Sequence, residues 1–158
     1  MEGILQTDQN ALKDFKKGKI SPRELANINA KNVQIVKEII SQIGFPTIKR
    51  TSYKAYKAAV LVVLHSEDIT FINQSVKHLQ DAEPLTIERR DIAYLVDKAR
   101  VIQNMSQLYG TQYVIDVNRK ITFISIQKPD ELEKRRAELG MESFDDYKKS
   151  VEQIVANY

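Results

Sequence analysis

The stretch Gln107-Leu108-Tyr109-Gly110-Thr111-Gln112, running straight into Tyr113-Val114-Ile115-Asp116-Val117, decides the fold. Before it, apolar residues recur at helical spacing; after it they alternate with period two, as a strand requires. The hexapeptide is also unusual in composition. It gathers two Gln, a Tyr and a Thr around one glycine without any charge, more hydrogen-bonding capacity than a turn needs. Such a group suits recognition of a polar, neutral ligand, and it equally suits a polar network tying strands to helices.

Upstream, residues 9–18 read as a short peripheral helix within the first 20 residues, with Leu12 and Phe15 inward and Gly18 as its break. Ser21-Pro22-Arg23-Glu24 is a capping box: Ser supplies the cap oxygen, Pro sits where no N–H is needed, and Glu reaches back. A stripe of Leu25, Ile28, Val33, Val36, Ile39, Ile40 and Ile43 follows, stopped by Gly44 and Pro46. Tyr53 to His65 holds the run Ala58 to Leu64, apolar on every side and therefore buried all round. That run alone is equally a central strand; its length and Tyr-Lys-Ala-Tyr-Lys-Ala lead-in favour helix. Asp68 to Ala82 and Thr86 to Met105 complete the upstream helices.

Downstream, Thr111 to Val117 and Lys120 to Ile126 form a hairpin about Asn118-Arg119. A lone hairpin is marginal in water, so it must lie against helices. Pro129-Asp130 opens a further helix ended by Gly140. Ser143-Phe144-Asp145-Asp146 caps the last, with Phe144, Tyr147, Val151 and Ile154 inward. The fold class is mainly α, about six or seven helices with one antiparallel β-hairpin near residues 111–126. Residues 1–158 are expected to form a single compact domain.

Apolar residues at 42% and charged residues at 28% place the chain among folded globular proteins. With no cysteine it has no disulfide framework, thiolate metal site or Cys nucleophile. No apolar run is long enough to span a bilayer, and the first ten residues lack a signal-peptide pattern, so a cytoplasmic location and no membrane partner are expected. The net charge of +3 comes from residues 1–50, with nine Lys/Arg against five Asp/Glu. No aromatics interleave those cations, which argues for a solvated face rather than a nucleic-acid footprint. Metal-site spacings, a Walker loop, a dinucleotide glycine pattern and a nucleophile elbow are absent; no metal and no cofactor are expected.

Candidate chemistry sits at element ends. His65 closes the most apolar helix and precedes Ser66-Glu67-Asp68, where a carboxylate can fix its tautomer; the plainer role is a helix-terminal cap. Asp97 is a mid-helix Asp of weak helix propensity, which calls for a partner. Arg135-Arg136 can hold an anion bidentately or lie on a solvated face.

These residues resemble an uncharacterised bacterial family, a domain of unknown function. Its signature is Gly-Trp/Phe-Pro, a helix ending Gln-His-Ala-Asp, then Ala-Tyr-Leu-x-Asp-Arg and Gln-x-Tyr-Gly-Thr-Gln. The matching blocks are Gly44-Phe45-Pro46, Leu64-His65-Ser66-Glu67-Asp68, Ala93-Tyr94-Leu95-Val96-Asp97-Lys98 and Gln107 to Gln112. Arg135-Arg136-Ala137-Glu138-Leu139-Gly140-Met141 is similar to the family's basic helix. The likeness runs from about residue 28 to 147; Leu64, Lys98 and the lack of a glycine around 50–52 depart from it. It implies no known reaction. It does imply that His65, Asp97 and Gln112 belong to one pattern.

The leading expectation is a small hydrolase or group transferase acting on a polar or nucleotide-like small molecule. His65 would be its general acid or base, with Asp68 or Asp97 as orienter. Gln107, Tyr109, Thr111 and Gln112 would hold the substrate, with Arg135 or Arg136 on an anionic group. Gln112, on the strand face opposite Thr111 and Tyr113, is expected to line the site beside His65. The alternative is a non-catalytic ligand- or protein-binding module in which the same residues form a structural network. The sequence sets no oligomeric state.

Overall fold

The computed structural model describes residues 2–156. Their order is α1 (Glu2–Lys16), α2 (Pro22–Ile43), α3 (Tyr53–Leu64), α4 (Ile69–Gln80), α5 (Arg89–Ile102), β1 (Tyr113–Ile115), β2 (Ile121–Phe123), α6 (Leu132–Glu138) and α7 (Phe144–Ala156). Seven α-helices and one antiparallel two-stranded sheet among the described residues make the mainly α fold that the periodicity predicts. Single 3-10 turns at Pro84–Thr86 and Pro129–Glu131 lead into α5 and α6. Each begins on a proline, whose missing N–H has no helical partner at that position. Contacts gather the chain into two compact units, Met1–Glu88 and Arg89–Tyr158.

In the first unit α3 is the core. Ala55, Tyr56, Ala58, Ala59, Val60, Val62 and Val63 are all buried, so it has no solvent face. Ser52 caps it by accepting a 3.1 Å hydrogen bond from the Ala55 N–H, which settles helix over strand for the apolar run. The alanines let neighbours approach closely: α1, α2 and α4 each pack on α3, and α1 also packs on α2. The capping box of α2 is complete, Ser21 Oγ accepting from Glu24 N and Glu24 Oε2 accepting from Ser21 N.

Two expected faces are rotated. The first helix begins at Glu2, well before residue 9, and buries Asp8 and Ala11 while Phe15 is 38% exposed. Packing on both α2 and α3 favours the small Ala11 at the contact over the bulky Phe15. In α2 the buried positions are Asn32 and Val36, one turn apart, and both α1 and α3 pack on the helix. Ile43, expected at the inner stripe, is 47% exposed.

In the second unit Tyr147, Val151 and Val155 of α7 form a buried cluster, with Tyr94, Tyr113, Ile121, Phe123 and Phe144 against it. The i+4 spacing of those three leaves Ile154, expected inward, 51% exposed. The hairpin pairs Tyr113 with Phe123, Val114 with Thr122 and Ile115 with Ile121. Phe123 meets Phe144 and Tyr147 edge-on at 5.1 and 6.0 Å, so aromatic packing on α7 supplies the support a lone hairpin needs. Its connection extends beyond Asn118-Arg119 to residues 116–120. Asp116 Oδ1 accepts from the N–H groups of Asn118 and Lys120, and Arg119 takes φ +64.

Candidate functional site

The stretch from Gln107 to Gln112 lies between α5 and β1; Gln107 forms a parallel bridge with Ile126 and Gln112 O accepts from Ile124 N, while the peptide groups between them are held by side chains. Asp97, in the middle of α5 and completely buried, aims its carboxylate into the loop. Its Oδ1 accepts from Leu108 N at 2.6 Å and Tyr109 N at 3.1 Å. Its Oδ2 accepts from Tyr109 N at 3.2 Å, Thr111 N at 3.0 Å and Thr111 Oγ1 at 2.9 Å. A carboxylate offers about four lone-pair positions, so this one is fully occupied.

The carbonyls of the same residues are met from the other side. Arg135 Nε donates to Leu108 O at 2.8 Å, Arg136 Nη1 to Tyr109 O at 2.6 Å, and the Tyr147 hydroxyl to Thr111 O at 3.1 Å. Gln107, with no exposed surface, treats Gln112 as a strand would. Its Oε1 accepts from Gln112 N at 2.8 Å, and its Nε2 donates to the carbonyls of Gln112 and Ile124 at 3.0 and 2.6 Å. Leu108, Tyr109, Thr111 and Gln112 thus each have both N–H and C=O satisfied, as buried backbone requires.

Gly110 completes the loop for two reasons. It takes φ +72, which side chains rarely adopt, and a Cβ there would sit 2.7 Å from the Phe144 ring. The surrounding charges are adapted to burial. Arg136 is 1% exposed, its Nη2 has no hydrogen-bond partner, and its guanidinium lies 5.0 Å from the Tyr147 ring centre and 5.6 Å from that of Phe144. The ring faces offset part of that desolvation, which nonetheless pulls the guanidinium below its ordinary pKa. Burial pushes the Tyr147 phenol up, helped by neighbouring Tyr94. Burial likewise raises Tyr109, with the Asp97 charge adding to it. Gln112, half-buried, spends its side chain on Thr111 Oγ1 at 3.1 Å.

His65 and Asp68 belong to the first unit, whereas Asp97, Gln107, Tyr109, Thr111, Gln112, Arg135 and Arg136 belong to the second. His65 is the C-cap residue of α3 and its Nδ1 lies 3.0 Å from Asp8 Oδ1. Asp8 is 1% exposed while the imidazole retains 27% of its surface. A carboxylate only accepts, so this contact places the proton on Nδ1 and leaves the Nε2 lone pair free in the neutral ring. His65 lines a cavity of about 480 Å³ together with Asn29, Lys37, Ser66, Glu67 and Asp68. The Oδ1 of Asn29 is buried there without a partner.

Asp68 does not touch His65 in any hydrogen bond; it caps α4, accepting from Phe71 N at 3.0 Å, and pairs with Lys37 Nζ at 2.5 Å. The lysine first, then the amide, hold its carboxyl below the usual range. Asp8 escaped sequence reading because the first helix was expected to begin one residue later. The reasoning applied to Asp97, that a mid-helix Asp wants a partner, would have found it. Among the described residues no three His, Asp or Glu side chains gather as metal ligands would.

These features define a mainly helical protein with a side-chain-locked loop at the entrance to its hairpin and a His–Asp pair at the end of its core helix. The chain belongs to a family of unknown function, DUF6624, whose model matches residues 8–156. No curated protein and no solved structure matches it. No described helix is long and apolar enough to cross a membrane.

Proposed function

We propose that the protein is a small acid–base enzyme, a hydrolase or group transferase, whose working group is His65 and whose orienting carboxylate is Asp8. The observation that carries this reading is the 3.0 Å contact between a nearly inaccessible Asp8 and an imidazole that still opens on a cavity. A buried carboxylate on Nδ1 fixes ring orientation and tautomer and stabilises the imidazolium formed when Nε2 takes a proton from water or a substrate hydroxyl. The substrate is a polar small molecule: Gln34, Ser66 and Glu67 line the cavity beside His65, and the Lys37–Asp68 pair gives it a rim of opposite charges. Asp68 is thereby a positioning group for Lys37 and α4 rather than the orienter of His65.

The test is a turnover screen against ester, amide, phosphomonoester and acyl-transfer substrates, using wild type, His65→Gln and Asp8→Asn. A turnover that falls by about 10²–10⁴ in His65→Gln, the usual share of general acid–base catalysis, supports the reading. Turnover unchanged in both variants removes it.

A second reading is favoured by the saturation of the Asp97 loop. Asp97, Gln107, Thr111, Arg135 and Arg136 act there as structural residues, so a protein whose polar residues only hold its shape fits the second unit. Large stability losses without activity losses at those positions would mark them as structural.

A further inference from the structure

The hairpin of the second unit leaves the outer edge of β1 open, and that edge is apolar. Gln112 O accepts from Ile124 N and Asp116 N donates to Lys120 O, which makes the pairs at 112/124 and 116/120 the hydrogen-bonded ones. Bonded and non-bonded pairs alternate in an antiparallel ladder, so Ile115 and Ile121 are a non-bonded pair. The N–H and C=O of Ile115 therefore point away from β2. The sheet has two strands among the described residues, and no third strand meets those groups. Around them Val114 is 57%, Ile115 48% and Val117 99% exposed.

Strand edges are usually guarded against pairing by lysine, proline or a bulge. Residues 111–117 hold neither lysine nor proline, and the register runs without a bulge from Tyr113 to Ile115. The one charge there, Asp116, is turned back onto the N–H groups of Asn118 and Lys120.

We propose that this edge pairs antiparallel with the same edge of a second copy, giving a two-fold dimer whose sheet runs β2–β1–β1–β2. The edge is complementary to itself in one register, with Ile115 opposite Ile115 of the second copy. The two residues then exchange their outward N–H and C=O groups, as an isologous contact requires. The row Ile121–Ile115 continues into Ile115–Ile121 of the second copy, and the row Phe123–Tyr113 continues onto its Val117. Tyr113, Ile121 and Phe123 already pack on α7, so the new contacts extend an apolar face that is in place.

Neighbouring registers are worse. Centring the pair on Asp116 sets two carboxylates directly opposite each other. Centring it on Val114 sets Val117 opposite Thr111, whose N–H is held by Asp97 and whose C=O is held by the Tyr147 hydroxyl. Centring it on Val117 sets Arg119 opposite Ile115.

The test is sedimentation of the intact protein over a range of concentrations, with Ile115→Lys and Val117→Lys beside wild type. Wild type is expected to dimerise, and each lysine to weaken the dimer at least ten-fold with an unchanged circular dichroism spectrum. Val117, almost fully exposed, can be changed without touching the core. The register has its own readout, because the chain has no cysteine. Bonded antiparallel partners stand about 5.5 Å apart at Cα, within the roughly 4.4–6.8 Å a disulfide spans. Ile115→Cys is expected to cross-link to a dimer on mild oxidation at least ten-fold faster than Val117→Cys, since the two copies of Val117 lie four residues out of line, roughly 13 Å. A chain that stays monomeric up to its solubility limit, with its edge bare or taken by another protein's strand, would overturn the proposal. So would a dimer indifferent to both lysines, or equal cross-linking at the two positions.

Discussion

Asp97 and Asp8 are both buried helix aspartates, one in each unit, and they are treated in opposite ways. Asp97 receives hydrogen bonds from three backbone amides and a hydroxyl. Asp8 faces an imidazole at 3.0 Å and Gln9 at 3.3 Å. Saturation by groups that cannot titrate makes a carboxylate a fastener, because nothing it does can change with protonation of its partners. A contact with a single titratable ring, itself open to a cavity, leaves the pair able to exchange a proton with something else. The difference lies in the partners, not in burial, since Asp97 is 0% and Asp8 1% exposed.

The largest effect that sharpens this contrast is Asp97→Ala. It leaves the amides of Leu108, Tyr109 and Thr111 without acceptors; at ~1–3 kcal/mol per unsatisfied buried group, a loss of about 3–5 kcal/mol is expected in urea unfolding. A loss under about 1 kcal/mol would show that the loop is not held from α5.

Gly110→Ala comes next. Positive φ and the 2.7 Å approach to Phe144 act together, for an expected cost of about 2–3 kcal/mol, and a melting temperature equal to wild type would refute the packing described.

On the other side of the comparison, His65→Gln removes a partly exposed ring and is expected to shift stability by under about 1 kcal/mol. A loss as large as that of Asp97→Ala would move His65 into the structural class and break the contrast.

Asp68→Ala, which removes an N-cap, is expected to cost about 1 kcal/mol at neutral pH. Its effect carries a pH signature. Asp68 has a lowered pKa in the folded chain, so its contribution is present above the unfolded carboxylate value, about 3.9, and fades as pH falls through the lower folded value. Wild type and variant should therefore converge in acid; curves that stay parallel down to pH 2 would contradict the Lys37 and Phe71 contacts. Tyr147 gives the opposite limb. With its folded pKa raised, its contribution holds below the unfolded phenol value of about 10 and is lost above it. Tyr147→Phe should accordingly lessen the alkaline loss of stability, read by unfolding at pH 9 and 11.

Much of the fold could be read from local chemistry. The capping box at Ser21, the all-round apolar run of α3 and the period change after Gly110 depend on neighbours within a few residues, and all appear where the sequence puts them. Helix faces were less legible: Phe15, Ile43 and Ile154 share the spacing of buried residues, yet each is more than a third exposed. Which of two adjacent apolar stripes is covered depends on where the neighbouring helices cross. The polar residues were legible as a group and not in their roles. A Gln that binds a ligand and a Gln that stands in for a strand edge have the same sequence signature, and a mid-helix Asp8 that calls for a partner does not say that the partner is 57 positions away.

The sequence by itself determined that the loop from Gln107 to Gln112 would be polar, uncharged and built on a glycine, and that helices would give way to a hairpin there. Propensity, capping and periodicity act over a few residues and are written into the order of the chain. Only the tertiary structure decided that Asp97, Arg135, Arg136 and Tyr147 close on that loop's peptide groups while Asp8 meets His65. Hydrogen bonds between distant residues depend on how helices pack, and packing follows from the burial of side chains that only the folded chain brings together.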